Sequence, residues 1–277
     1  MYRSGMTCIM LGLFAGVVYH GPPVIVLGIL FVQCKVYREL QALSLFGVQP
    51  AQKCQCALDN WLFFLANAWI LAETFAKSCS FQWVATFRLG CVLAYCLWFA
   101  CSIALFRVPM LKDQLAHFCW QHVIQLYTTS QVYFLYANLQ FGSCVLVICN
   151  DIFAFLCGQA FGVTQLVTIS PKKTWEGFIG AAFLTILVAG LCAPWLVVDK
   201  DVVGLTRMHA LVLAGFASFM APFGGFFASA LKRAKHVKDF ADAIPGHGGF
   251  TDRMDCQLLM AIFTHLYLQS CSAQAAA

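Results

Sequence analysis

Apolar stretches long enough to cross a bilayer, roughly 17–25 residues each, follow one another along the whole chain and constrain its fold more than any other feature. They run over 5–20, 22–43, 60–77, 80–105, 117–137, 142–163, 177–198, 208–230 and 256–273, nine in all. In hydrocarbon every backbone N–H and C=O needs an internal partner, so such stretches fold as helices. The sequence therefore predicts an all-α, polytopic bundle of about nine transmembrane helices with a polar active site on its cytoplasmic face. A hydrophobic share of 61% excludes an ordinary water-soluble domain, for which about 45–50% is usual. The first stretch follows Arg3 in the manner of a signal peptide. It runs through Val17-Val18-Tyr19-His20 into Gly21-Pro22-Pro23 with no small-residue cleavage site, so it is expected to stay as a helix.

Charge orients the bundle. Of 17 Lys and Arg residues, thirteen fall on the side that holds the N-terminus and three (Lys77, Lys200, Arg207) on the other, with Arg88 inside a span. Positive loops mark the cytoplasmic face, so the N-terminus is expected there. Most of the fifteen cysteines lie within spans, where a thiol behaves as a small apolar residue. Cys54 and Cys56 have a spacing too short for zinc ligands. Glu73 and Arg88 read as a buried pair joining two spans, Asp59 as a helix cap, and His117, His122, His209 and His265 as packing residues.

Two polar runs interrupt this oily chain. In Ser229 to Asp255, nine of the 27 positions are Lys, Arg or Asp. A solvated connecting loop would be polar, but it would need neither the Gly246-His247-Gly248-Gly249 turn nor the paired carboxylates that follow. Pro245 and the glycines allow a close approach of backbone to ligand. With a helix starting near Thr251, Asp252 and Asp255 share one face of its first turn. Two hard oxygen donors suit Mg²⁺, which fills its octahedron with water and phosphate oxygens. Lys232, Arg233, Lys235 and Lys238 lie just upstream, and Asp239 adds a third candidate ligand.

The second run is Asn150 to Gly177. Asp151 lies in the body of a span, where a lone charge is costly, so it should face a wet interior or a cation. Ser170-Pro171 reads as an N-cap and first residue of a helix, which puts Lys172 and Lys173 in its first turn. Lysines there oppose the helix dipole unless an anion binds. Six of the twelve acidic residues fall in these two runs, which belong to the same side of the membrane.

These residues carry a resemblance. Ser229, Lys232-Arg233, Lys238-Asp239, Pro245, His247-Gly248-Gly249 and Asp252-Arg253-x-Asp255 resemble the signature of the phosphatidate cytidylyltransferases, or CDP-diacylglycerol synthases. Ser170-Pro-Lys-Lys-Thr-Trp-Glu-Gly177, Asn150-Asp151 and the run from Ala221 to Ser229 are similar to blocks of the family's eukaryotic branch. The likeness extends from about Val147 to Leu268 and more loosely back to Val32. It implies that CTP and phosphatidic acid condense to CDP-diacylglycerol and pyrophosphate in an endoplasmic reticulum membrane.

On this reading residues 1–140 are a scaffold and 141–277 the catalytic region. Asp239, Asp252 and Asp255 are expected to hold Mg²⁺, with Asp151 a fourth candidate. Lys172, Lys173, Lys238 and Arg253 are assigned to the triphosphate, and Lys232 and Arg233 to the lipid phosphate. Ser170, Ser229 and the turn carrying His247, Gly248 and Gly249 complete the substrate contacts. The bilayer is a partner, a homodimer is admitted, and no nucleic acid is expected. A CTP-dependent polyprenol or phytol kinase stays open as an alternative, as does a transporter lined by Glu73, Arg88 and Asp151.

Overall fold

The computed structural model describes residues 10, 12–17, 19–44, 53–78, 83–140, 142–193, 207–244 and 248–275. Pro245, Gly246 and His247 lie outside the described residues, as does the Glu73 side chain and with it the expected pair with Arg88.

The chain is mostly helical: α1 Pro22–Ser44, α2 Lys53–Ser78, α3 Trp83–Ala104, α4 Leu111–Gln140, α5 Ser143–Phe161, α6 Trp175–Cys192, α7 Arg207–Phe219, α8 Pro222–Ala234 and α9 Thr251–Ala275. Between α5 and α6 stands an antiparallel hairpin of β1 Gln165–Val167 and β2 Ser170–Thr174. Length and composition support part of the nine expected spans. Among the described residues four segments are long and apolar enough to cross a membrane: Ala85–Ala104, Ser143–Phe161, Trp175–Cys192 and Arg207–Ala234. The remaining long helices carry charged and amide side chains along their length, such as Glu39 in α1 and the glutamines of α4.

Two expectations for individual helices are corrected. The stretch over 208–230 is two helices, because Pro222 has no N–H to continue the ladder of α7 and instead starts α8. The helix expected at Ser170 begins later, at Trp175. Ser170 to Thr174 pair with β1, and Thr174 is the cap, its hydroxyl accepting the Gly177 N–H at 3.2 Å. Lys172 and Lys173 therefore sit on a strand and not on a helix N-terminus.

The chain divides into two compact units, one of Met1–Glu39 with Ser130–Ala277 and one of Leu40–Thr129. The first is held by alanines of α6 and α7 (Ala189, Ala214, Ala217) packed with Leu146 and Val147 of α5 and Met260 of α9. Small side chains let helix backbones approach closely without a water-driven force between them. Phe216 and Phe263 stack at 3.9 Å on this core.

The Leu40–Thr129 unit is organised around polar side chains. Asp59 is not a cap: α2 starts earlier, at Lys53, and Asp59 is fully buried. Its Oδ2 accepts from Gln41 Nε2 and lies 3.0 Å from His117 Nε2. Gln121 in turn donates to Gln41 at 2.9 Å. His122 packs on Phe118 and reaches Tyr95 Oη at 2.9 Å. In the other unit His209 bonds Tyr267 and His265 packs on Phe134, so these four histidines are packing residues, as the sequence reading has them.

Candidate active site

The site is framed by α8 lying against α9. Gly224 permits the closest approach, since a Cβ there would run into the Asp255 carbonyl oxygen. One residue on, a Cβ at Gly225 would stand 3.3 Å from Lys173 Nζ, 3.5 Å from Asp255 Oδ2 and 3.1 Å from Cys256 Sγ. The lysine of β2 and the carboxylate of α9 thus meet over a bare patch of α8. Lys173 also lies 4.5 Å from the centre of the Phe226 ring. Asp151, on α5, is in Coulombic range of Lys173, Asp255 and Arg253. The two polar runs, far apart in sequence, come together here.

Asp255 lies in the first turns of α9. Burial pushes its carboxyl above the usual carboxylate range, while the Cys256 N–H, donating to Oδ1 at 2.7 Å, and the Lys173 ammonium pull it back.

Asp252, one helical turn earlier, is held differently. Its Oδ1 accepts from Lys232 Nζ at 2.6 Å, and its Oδ2 accepts the N–H groups of Phe240 and Gly249, each at 3.0 Å. One carboxylate therefore ties together the last turn of α8, the connecting loop and the glycine turn. Asp239 flanks the same turn: its Cγ and Asp252 Oδ2 lie 3.5 and 3.0 Å from where a Gly248 Cβ would be. Gly248 has φ +78°, which an L side chain rarely adopts. The loop leaves α8 through His236, at φ +57°, with the Val237 N–H bonded back to the Lys232 carbonyl at 3.0 Å.

The structure adds a residue that lies outside both polar runs. Glu39 of α1 is buried, and its carboxylate accepts the N–H groups of Phe250 and Thr251 and the Thr251 hydroxyl, each at 2.8 Å. With Gly249 bonded to Asp252, the N–H groups at Gly249, Phe250 and Thr251 all go to the protein's own carboxylates. The Gly249 N–H of the glycine turn is thus satisfied from within the protein.

The hairpin is fixed from α6. Glu176 accepts the N–H groups of Val163 and Thr164, each at 3.1 Å, and the Thr164 hydroxyl at 2.6 Å. This clamp sets the strand on which Lys172 and Lys173 stand.

The other candidates are spread. Lys172, Lys238, Asp239 and Arg253 are exposed. Arg233, also exposed, donates to the Val237 carbonyl at 3.1 Å. Ser229 donates to the Gly225 carbonyl one turn back, and Ser170 is paired with Val167 across the hairpin. Among the described residues no three His, Cys, Asp or Glu side chains gather as a metal-binding group. Of the four candidate carboxylates, Asp239 and Asp252 both flank Gly248, and Asp151 lies in Coulombic range of Asp255. Asp255, with Asp151 in range, fits Mg²⁺, which needs only one or two protein carboxylates when phosphate oxygens complete its shell.

Fold and site together define a helical protein with membrane-length apolar segments and a cation-carboxylate cluster suited to phosphate esters. Comparison with known proteins narrows the class. The chain belongs to the cytidylyltransferase family, which it matches over residues 1–271. It is 35% identical to phosphatidate cytidylyltransferase 1 of Arabidopsis thaliana, in a match covering 98% of this chain and 79% of that one. With a putative phosphatidate cytidylyltransferase of Schizosaccharomyces pombe it shares 31% identity over 98% of this chain and 76% of the relative. With phosphatidate cytidylyltransferase 1 of Rattus norvegicus it shares 32%, over 97% and 71%.

Proposed function

We propose that this chain condenses CTP with phosphatidic acid to give CDP-diacylglycerol and pyrophosphate, as the names of its relatives indicate for them. The observation that carries the reading is the meeting of Lys173 and Asp255 over Gly225, within range of Asp151 and Arg253.

The chemistry asks for charge management more than for a base. A phosphate monoester has a second pKa of about 6, so the lipid phosphate is largely a dianion near neutral pH and has no proton to lose before attack. One of its oxygens bonds to the α-phosphorus of CTP while the bond from that phosphorus to the bridging oxygen breaks, and pyrophosphate leaves with the bonding pair. Two mutually repelling anions must be brought together and the charge on the leaving group stabilised. Such transfers are catalysed mainly by positioning and electrostatics.

Lys172, Lys173, Lys238 and Arg253 supply positive charge to the triphosphate. Arg233 is the cation for the lipid phosphate. Lys232 acts through Asp252 by ordering the loop. Asp255 and Asp151 would hold Mg²⁺, which when bound would neutralise phosphate oxygens of the substrate. Asp252 orders the loop through its bonds to Lys232, Phe240 and Gly249, and Asp239, exposed beside the same turn, stays a candidate metal ligand. Ser170, His247 and Gly248 stay candidates for substrate contacts.

We place the site at the cytosolic face of an endoplasmic reticulum membrane, with the N-terminus on that face and about nine helices crossing it. The positive loops support this orientation.

The test supplies detergent-purified protein with phosphatidic acid, Mg²⁺ and CTP labelled at the α- or the γ-phosphate. Transfer of the α-label to lipid with release of pyrophosphate is expected. Transfer of the γ-label would make the protein a lipid kinase and refute the reading. Asp255→Asn should abolish turnover in a protein that still melts cooperatively; wild-type turnover by this variant removes Asp255 from the metal site.

A further inference from the structure

We infer that Glu39 is a positioning residue of the active site: it sets the first turn of α9 and keeps that helix N-terminus from capturing phosphate. The inference rests on the cytidylyl-transfer reading and concerns a residue of α1, in the part of the chain that the sequence presents as scaffold.

A helix N-terminus exposes N–H groups that have no partner within the helix, and the helix dipole adds positive potential there. In α9 this end lies directly beside Asp252, Arg253 and Asp255. Left open it would be a second anion site next to the intended one, because free N–H groups at a helix start bind phosphate readily. Glu39 removes that option. Its two carboxylate oxygens take the N–H groups of Phe250 and Thr251, and Oε2 also takes the Thr251 hydroxyl.

The fit is built for a carboxylate. Glu39 is 7% exposed and Thr251 is 1% exposed. A Cβ at Gly249 would stand 2.6 Å from Glu39 Oε2, so the turn closes on the carboxylate only because that residue is glycine. Asp252 takes the Gly249 N–H on the other flank. Two acidic side chains thus share out the N–H groups of the turn and fix the helix start about which Asp252 and Asp255 are arranged.

Glu39 touches no reacting atom in this arrangement; its effect passes through the helix start. The positioning role predicts two separate consequences of its removal. The carboxylates of α9 lose their fixed place, and misplacement on the order of 1 Å costs about a hundredfold in rate. The released N–H groups also become an anion site, so pyrophosphate should bind more tightly. A residue that merely supported the fold would lower the amount of folded enzyme without changing affinity for pyrophosphate.

The experiment compares wild type, Glu39→Ala and Glu39→Gln as full-length, detergent-purified proteins, with phosphatidic acid, CTP and Mg²⁺. The readouts are kcat, the KM for CTP, the inhibition constant of pyrophosphate and the melting temperature. For Glu39→Ala we expect kcat to fall on the order of tenfold to a hundredfold, together with several-fold tighter inhibition by pyrophosphate. Glu39→Gln is nearly isosteric and keeps one acceptor oxygen, so it should lie between the two in both measures and guards against a folding failure of the alanine variant. The inference is overturned if both variants keep wild-type kcat, or if kcat falls while pyrophosphate inhibition is unchanged in the folded fraction. If wild-type protein forms no CDP-diacylglycerol, the functional reading itself has failed, which is a different result.

Discussion

Removing the Asp252 carboxylate is the most informative perturbation of the site, because it separates a loop anchor from a metal ligand. Asp252→Ala strands three groups: the Lys232 ammonium, whose side chain is 12% exposed, and the N–H groups of Phe240 and Gly249. Breaking a buried ion pair by deleting one partner costs about 3–5 kcal/mol. The partial exposure of Lys232 argues for the lower end, so about 3 kcal/mol is expected. In a unit of this size each kcal/mol lowers the melting temperature by about 2–4 °C, which gives roughly 6–12 °C. Lys232→Met should cost less, about 1.5–3 kcal/mol, because Asp252 keeps its two backbone donors. The double variant should then be less destabilised than the sum of the singles by about 1–2 kcal/mol. The assay is thermal unfolding of the four detergent-solubilised proteins without substrate or metal. If Asp252→Ala melts within about 2 °C of wild type and shows no coupling to Lys232, the carboxylate does not anchor the loop and its contribution is to metal or substrate alone.

Two further outcomes follow from the packing around the same cluster. Gly224→Ala forces a methyl group against the Asp255 carbonyl and should destabilise by about 1–3 kcal/mol, whereas Gly225→Ala meets only side-chain ends, those of Cys256, Lys173 and Asp255 at 3.1, 3.3 and 3.5 Å, and should lower turnover more than stability; thermal melting and kcat measured on both variants check the contrast. Glu176→Ala releases the Val163 and Thr164 N–H groups that fix the hairpin, so turnover should fall on the order of tenfold or more as Lys172 and Lys173 lose their place, with faster amide exchange at residues 163–174 as the accompanying sign.

The corrections share one physical cause. Ser170-Pro171 satisfies the local rules for a helix start as well as Thr174 does, and only the pairing of Ser170 with Val167 and the clamp from Glu176 decide for a strand. Asp59 likewise has the composition of a cap. Its burial follows from Gln41 and His117, partners 18 and 58 positions away that no local pattern reveals.

The sequence by itself determined the apolar helical class, the two polar runs, the helix start at Thr251 and the family resemblance, because periodicity, hydropathy and motif spacing are properties of neighbouring residues. Only the tertiary structure decided which of those residues meet. It set Lys173 beside Asp255 over Gly225, spent both oxygens of Asp252 on ordering a loop, and brought Glu39 to a helix start 212 positions away. The physical reason is that a buried carboxylate takes whichever donors the packing leaves without partners. That choice is made by the approach of whole helices, and the order of residues along one helix does not contain it.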